Sequence, residues 1–189
     1  MLFRSTDDNI IFLDTESVEK RVEDLPYVKR CEVKRMYPDE VLVRIVERKA
    51  VATVMVTNHL YEIDRENVVL RELSPFALQT GPMITNLPDV TLQDPGKQIE
   101  SPALARALEL WENFKALPFA KEITLSEISA VHENDIRMYF NELPYEIRWG
   151  RSDFATQAAR FEVLWNEMGG NLPCQNYLDL RFDADLVCK

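Results

Sequence analysis

Apolar residues recur along this chain in two rhythms, one near 3.6 residues and one of 2, and the alternation between them predicts its elements. A short apolar run at 10–13 is closed by Asp14-Thr15, an N-cap signature. Val18, Val22 and Leu25 follow at i, i+4 and i+7, the spacing of one short amphipathic helix, and Pro26 ends it. Residues 27–36 and 40–48 then read as two strands around a turn at Pro38-Asp39. Proline presets φ for such a turn, and aspartate can bond its own backbone. Val41, Val43 and Ile45 alternate with Leu42, Arg44 and Val46, which makes one face wholly apolar and the other mixed.

Residues 50–56, 60–63 and 68–73 continue as strands, with Asn67 expected in the left-handed position of the turn at 64–67. Ser101-Pro102 starts a helix running to about Leu117, serine as N-cap and proline at the first position. Its broad apolar face carries Leu104, Ala107, Leu108, Leu110, Trp111 and Phe114, and both aromatics are expected in the core. A meander follows at 123–131, 136–140 and 145–149, with turn signals at 133–135 and 141–144. A second helix runs from a Ser152 or Asp153 cap to Met168, with Phe154, Ala158, Phe161, Trp165 and Met168 as its stripe. Gly169-Gly170 stops it. Residues 176–188 read as one long two-faced strand. Leu178, Leu180, Phe182, Ala184, Leu186 and Cys188 lie on one side, and Tyr177, Asp179, Arg181, Asp183, Asp185 and Val187 on the other.

Composition adds mostly exclusions. With 189 residues, 46% hydrophobic and 29% charged, the chain has the profile of an ordinary globular protein with a proper core. A net charge of −10 argues against nucleic acid or an anionic membrane surface as a partner. No apolar run approaches the roughly 18 residues a membrane span needs, and the start lacks a signal-peptide pattern. By themselves these features describe a soluble cytoplasmic protein.

Candidate chemistry is sparse. His59 and His132 are too few and too far apart for a metal site, and no metal or cofactor is expected. No GxSxG, P-loop, GxGxxG or HExxH is present, and five glycines leave little for a phosphate-cradling loop. Catalysis is not expected. Cys31 falls within a strand as a small core residue. Cys174 and Cys188 flank the last expected strand, whose opposite ends lie too far apart to bridge, so all three cysteines are expected as free thiols.

Several phrases together carry a resemblance. Leu25-Pro26-Tyr27-Val28 opens the hairpin, Arg35-x-x-Pro38 turns it, and Glu47-Arg48-x-x-x-Ala52 leaves it. Arg148-Trp149-Gly150, a helix and then YLDLRF at 177–182 close the chain. In that order they resemble the FtsQ/DivIB family of bacterial cell-division proteins. Asn67 and Asn86 stand where the family usually has glycine, and Ala50 where it usually has proline.

The resemblance implies an α+β fold: a partial POTRA module (helix plus β-hairpin, 1–49), then a β-domain of antiparallel or mixed sheet with two packed helices (50–189). The module's first strand and first helix have no counterpart here. It further implies a non-enzymatic scaffold or regulator of the divisome, binding FtsB and FtsL-like (DivIC-like) proteins by strand addition at the C-terminal edge strand. Tyr177, Arg181, Phe182, Asp183, Ala184 and Asp185 would line or flank that contact. Asp179 and Arg181 fit cross-strand pairing within the sheet equally well. The parent would be a bitopic inner-membrane protein, anchored by a transmembrane segment absent from this chain, with this part on the periplasmic side. The alternatives are a POTRA-type assembly module of a secretion or outer-membrane system, or a soluble α+β enzyme or ligand-binding domain.

Overall fold

The computed structural model describes residues 10–88, 90–91, 93–150, 153–182 and 185–189. Helix α1, Thr15–Glu23, starts where Asp14 accepts from the Ser17 amide at 3.1 Å. It lies along β1 (Val28–Met36), which pairs antiparallel with β2 (Glu40–Glu47). Val18 and Val22 pack on Val28, Cys31 and Val33 to make a small core. Glu19 and Glu23 accept from the Val33 and Cys31 amides at 2.6 and 2.8 Å. The helix thereby caps the outer edge of β1, a common way of closing a strand edge. It leaves β2 uncovered, and every residue of β2 is exposed. The apolar face of Val41, Val43 and Ile45 therefore exists as a pattern without being buried.

The remaining strands are β3 (Ala50–Val56), β4 (His59–Asp64), β5 (Val69–Leu73), β6 (Met83–Thr85), β7 (Leu125–His132), β8 (Asp135–Phe140), β9 (Glu146–Trp149), β10 (Tyr177–Asp179) and β11 (Val187–Cys188). They form one nine-stranded mixed sheet, ordered β11-β10-β9-β8-β7-β6-β3-β4-β5. β3–β4–β5 and β7–β8–β9 are antiparallel, whereas β6 pairs parallel with both β3 and β7, and β10 parallel with β9. Parallel neighbours need crossovers, and helices α2 (Pro102–Phe114) and α3 (Phe154–Glu167) lie in two of them. Ser101 caps α2 through the Leu104 amide, and Asp153 caps α3 through the Ala155 amide. Asn67 and Asn86 take the left-handed backbone, at φ 62 and 56.

The main core sits between the sheet and these helices. Phe114 meets Trp149 edge-on at 6.3 Å, Trp149 meets Phe161 edge-on at 6.2 Å, and Phe119 stacks on Trp165 at 5.1 Å. Phe114 is buried as expected, Trp111 packs against the core from its rim, and Met168 stays largely exposed.

Two expectations fail together at the C-terminus. Residues 176–188 are not one strand: β10 ends at Asp179, and the chain returns to lay β11 antiparallel on it, Leu178 opposite Cys188 and Asp179 opposite Val187. That reversal brings Cys174 and Cys188 to a Cα separation of 5.1 Å, and they form a disulfide. The distance argument against a bridge assumed an extended chain between them. Cys31 is the free cysteine, and it is buried.

Candidate functional site at the C-terminal sheet edge

The end of the sheet at β9–β10–β11 gathers most of the residues singled out from sequence. In β10, Tyr177 lies opposite Glu146 and Asp179 opposite Arg148. Arg148 holds its guanidinium 4.0 Å from the centre of the Tyr177 ring and binds Glu146 through Nε at 2.6 Å. Tyr139 donates its hydroxyl to the other Glu146 oxygen at 2.5 Å. Tyr177 is therefore a half-buried aromatic with its ring pinned by a cation.

Arg181 is engaged within the chain. Its Nε and Nη2 form a fork on Asp179 at 2.9 and 2.6 Å, and Nη1 reaches Asp135 at 3.8 Å. Its stem lies across Gly150, where a Cβ would come within 2.6 Å of Arg181 Cγ. Only glycine fits there, which gives the Arg-Trp-Gly phrase a physical reason. Asp179 is 3% exposed. Burial would raise its pKa, yet the fork and backbone bond from Arg181 hold it below the usual carboxylate range. Asp135 is lowered by its bond to Arg137. Glu146 is lowered despite burial, by Tyr139 and Arg148. Burial and the bond to Glu146 push the Tyr139 phenol up to about 12.

Phe182 is 51% exposed, with its carbonyl accepting from Arg160 Nη1 of α3 at 2.7 Å. Asp185 is exposed, and with Leu186 it borders an open groove of about 820 Å³ along Ala155, Ala159 and Val163 of α3. Asp183 and Ala184 lie outside the described residues. Sequence reasoning named Arg148 within the Arg-Trp-Gly phrase and Asp135 within a turn but assigned neither to this site, and it did not foresee β11. Arg148 was within reach, since it stands two residues before Gly150 on the polar face of an alternating strand. Among the described residues no group of three His, Cys, Asp or Glu is arranged to hold a metal ion.

A second charged cluster joins the two parts of the molecule. Arg48 Nη1 meets Asp64 Oδ2 at 2.6 Å and Glu66 Oε2 at 2.8 Å, while Lys29 reaches Glu66 at 2.6 Å. Asp64 Oδ1 accepts from the Glu66 and Val68 amides, so the arginine grips a turn that is already rigid.

Comparison with known families matches two stretches of the chain. Residues 4–48 match the model of the POTRA domain, FtsQ-type, and residues 52–181 match that of the cell division protein FtsQ/DivIB, C-terminal. The chain belongs to the FtsQ/DivIB family. These are bacterial cell-division proteins of α+β fold, a non-enzymatic family. Similar relatives include the cell division protein FtsQ of Syntrophotalea carbinolica, 24% identical over 96% of this chain and 64% of that protein. That of Geotalea daltonii is 23% identical over 96% of this chain and 66% of that protein. The chain thus spans a little under two-thirds of these FtsQ relatives. A solved structure, the major extracytoplasmic domain of DivIB from Geobacillus stearothermophilus, is 16% identical, with a TM-score of 0.36, over 67% of this chain and 98% of that one. An assembly module of a secretion or outer-membrane system is not favoured, since the FtsQ/DivIB match at 52–181 runs through most of the larger sheet, from within β3 to past β10.

Proposed function

We propose that this chain is the extracytoplasmic part of a membrane-anchored divisome scaffold, without catalytic activity, divided into a partial POTRA module (1–49) and a β-domain (50–189). In this reading it binds a protein of the FtsB or FtsL (DivIC) type through the C-terminal end of its large sheet. The supporting observation is how that sheet ends. Among the described residues, β10 is followed at the sheet's end by the two-residue β11 alone, beside a half-buried Tyr177 and an exposed Phe182 and Val187. A partner strand added there would gain backbone hydrogen bonds for affinity and the Tyr177–Phe182 side chains for specificity. Arg181, forked on Asp179, would contribute by holding the strand in place more than by direct contact. Asp183, Ala184 and Asp185 follow in the same segment and belong to the proposed contact.

The test is calorimetric titration with the extracytoplasmic segment of the FtsB-type protein from the same genome. Tyr177→Ala should weaken binding at least tenfold while the unfolding midpoint of the β-domain changes little. Unaltered affinity in a well-folded Tyr177→Ala variant would remove the sheet end as the docking site.

A further inference from the structure

The outer backbone groups of β10 are already in use. Tyr177 and Lys189 exchange both backbone bonds, at 3.2 and 3.1 Å, and the Lys189 carbonyl also accepts from Gln175 and Asn176 at 2.9 and 2.6 Å. Leu178 and Asp179 face Cys188 and Val187. A strand arriving at β10 from outside would need the same Tyr177 and Asp179 groups that β11 now holds. Two residues of strand pairing make a marginal element by themselves. A covalent tie reinforces it: the Cys174–Cys188 disulfide links β11 to the segment that leads into β10.

We propose that β11 is a placeholder strand on the docking edge, latched by the Cys174–Cys188 disulfide and released by its reduction. This rests on the strand-addition reading above. The two sulfurs differ in access: Cys174 is buried, whereas Cys188 is exposed. A thiolate from a dithiol reductant of the Cys-x-x-Cys class attacks Cys188 Sγ. The S–S bond breaks, and the Cys174 sulfur leaves with the electron pair and takes up a proton. The reductant's second thiol then displaces Cys188, which also leaves as a thiol. Two electrons and two protons have passed from the reductant, which ends as a disulfide. Cys31 stands apart from this exchange, buried beneath α1 and with its thiol pKa pushed up by burial and by the Glu19 and Glu23 charges.

The whole chain is compared in three forms: oxidised, reduced with dithiothreitol, and as the Cys174→Ser/Cys188→Ser variant. Amide exchange at Tyr177 and Lys189 should quicken at least tenfold in the second and third forms, while the Leu180 amide, bound to the Arg148 carbonyl on the inner side, stays protected. The FtsB-type segment should bind those two forms at least tenfold more tightly than the oxidised one. A disulfide that merely stabilised the domain would not raise affinity on removal, so equal or weaker binding with opened amides overturns the latch. Amides that stay closed after reduction overturn the release of β11 whatever the binding. Opened amides with no binding by any form support the release and overturn the strand-addition reading instead.

Discussion

The hairpin β1–β2 and the sheet end β9–β10–β11 contain comparable strands, yet their apolar residues meet opposite fates. Val41, Val43 and Ile45 of β2 alternate as cleanly as any strand in the chain and remain exposed. Ile147, Leu178 and Leu180 sit within the main core and are fully buried. The difference is what lies above each sheet. One short helix, committed to the edge of β1 by Glu19 and Glu23, has no width left for β2. Two longer helices with a continuous aromatic seam cover the larger sheet. The small module therefore takes much of its position from charges against its neighbour, through Lys29 and Arg48, and the larger one from burial.

The sharpest way to break that contrast is to remove an aromatic from the seam. Phe161→Ala should cost about 3–5 kcal/mol in denaturant unfolding of the larger domain, because the site is fully enclosed and cannot collapse cheaply. The Cys174→Ser/Cys188→Ser variant should lose about 3 kcal/mol on the same measurement, the order expected for closing a loop of this length. Next comes the junction. Arg48 is only 17% exposed at its side chain and meets two carboxylates, so Arg48→Met should cost about 1–3 kcal/mol. It should also split a single unfolding transition into two, seen by tryptophan fluorescence against far-ultraviolet circular dichroism. All three tryptophans lie in the larger domain. Smallest is Val43→Thr on β2, expected within about 0.5 kcal/mol because that residue is largely exposed. A larger loss would mean that β2 is covered in solution.

The sheet end also responds to acid through its partly buried carboxylates. Asp135, Asp179 and Glu146 all have lowered pKa values in the folded chain. Groups shifted downward stabilise the fold above their unfolded pKa and lose that contribution as pH falls through the lowered folded value. Stability of the larger domain should thus decline as pH drops below about 4, and Arg181→Met should flatten that dependence. Urea midpoints at pH 6 and pH 3 measure it.

How much was legible depended on whether a feature was local. The caps at Asp14, Ser101 and Asp153, the left-handed Asn67 and the glycine stop at 169–170 came straight from residue chemistry, since each involves neighbours within four positions. Tyr177 and Arg181 were read as members of one long strand, whereas Tyr177 opens β10 and Arg181 follows its end at Asp179. Their partners, Arg148 and Asp135, come from strands 29 and 46 residues away in sequence, as 177 minus 148 and 181 minus 135 give.

The C-terminal segment marks the boundary most clearly. From 176 to 188 the alternation of side chains is continuous, and pattern alone favours one strand. Period-2 alternation reports which face a side chain occupies, and it carries no term for where the chain reverses. The sequence by itself determined the helices, most of the strands, their caps and the family. Only the tertiary structure decided that the last strand folds back on itself, that two cysteines meet, and that the apolar face of β2 lies open. Each of those depends on what packs alongside, and packing is set by distances through space rather than along the chain.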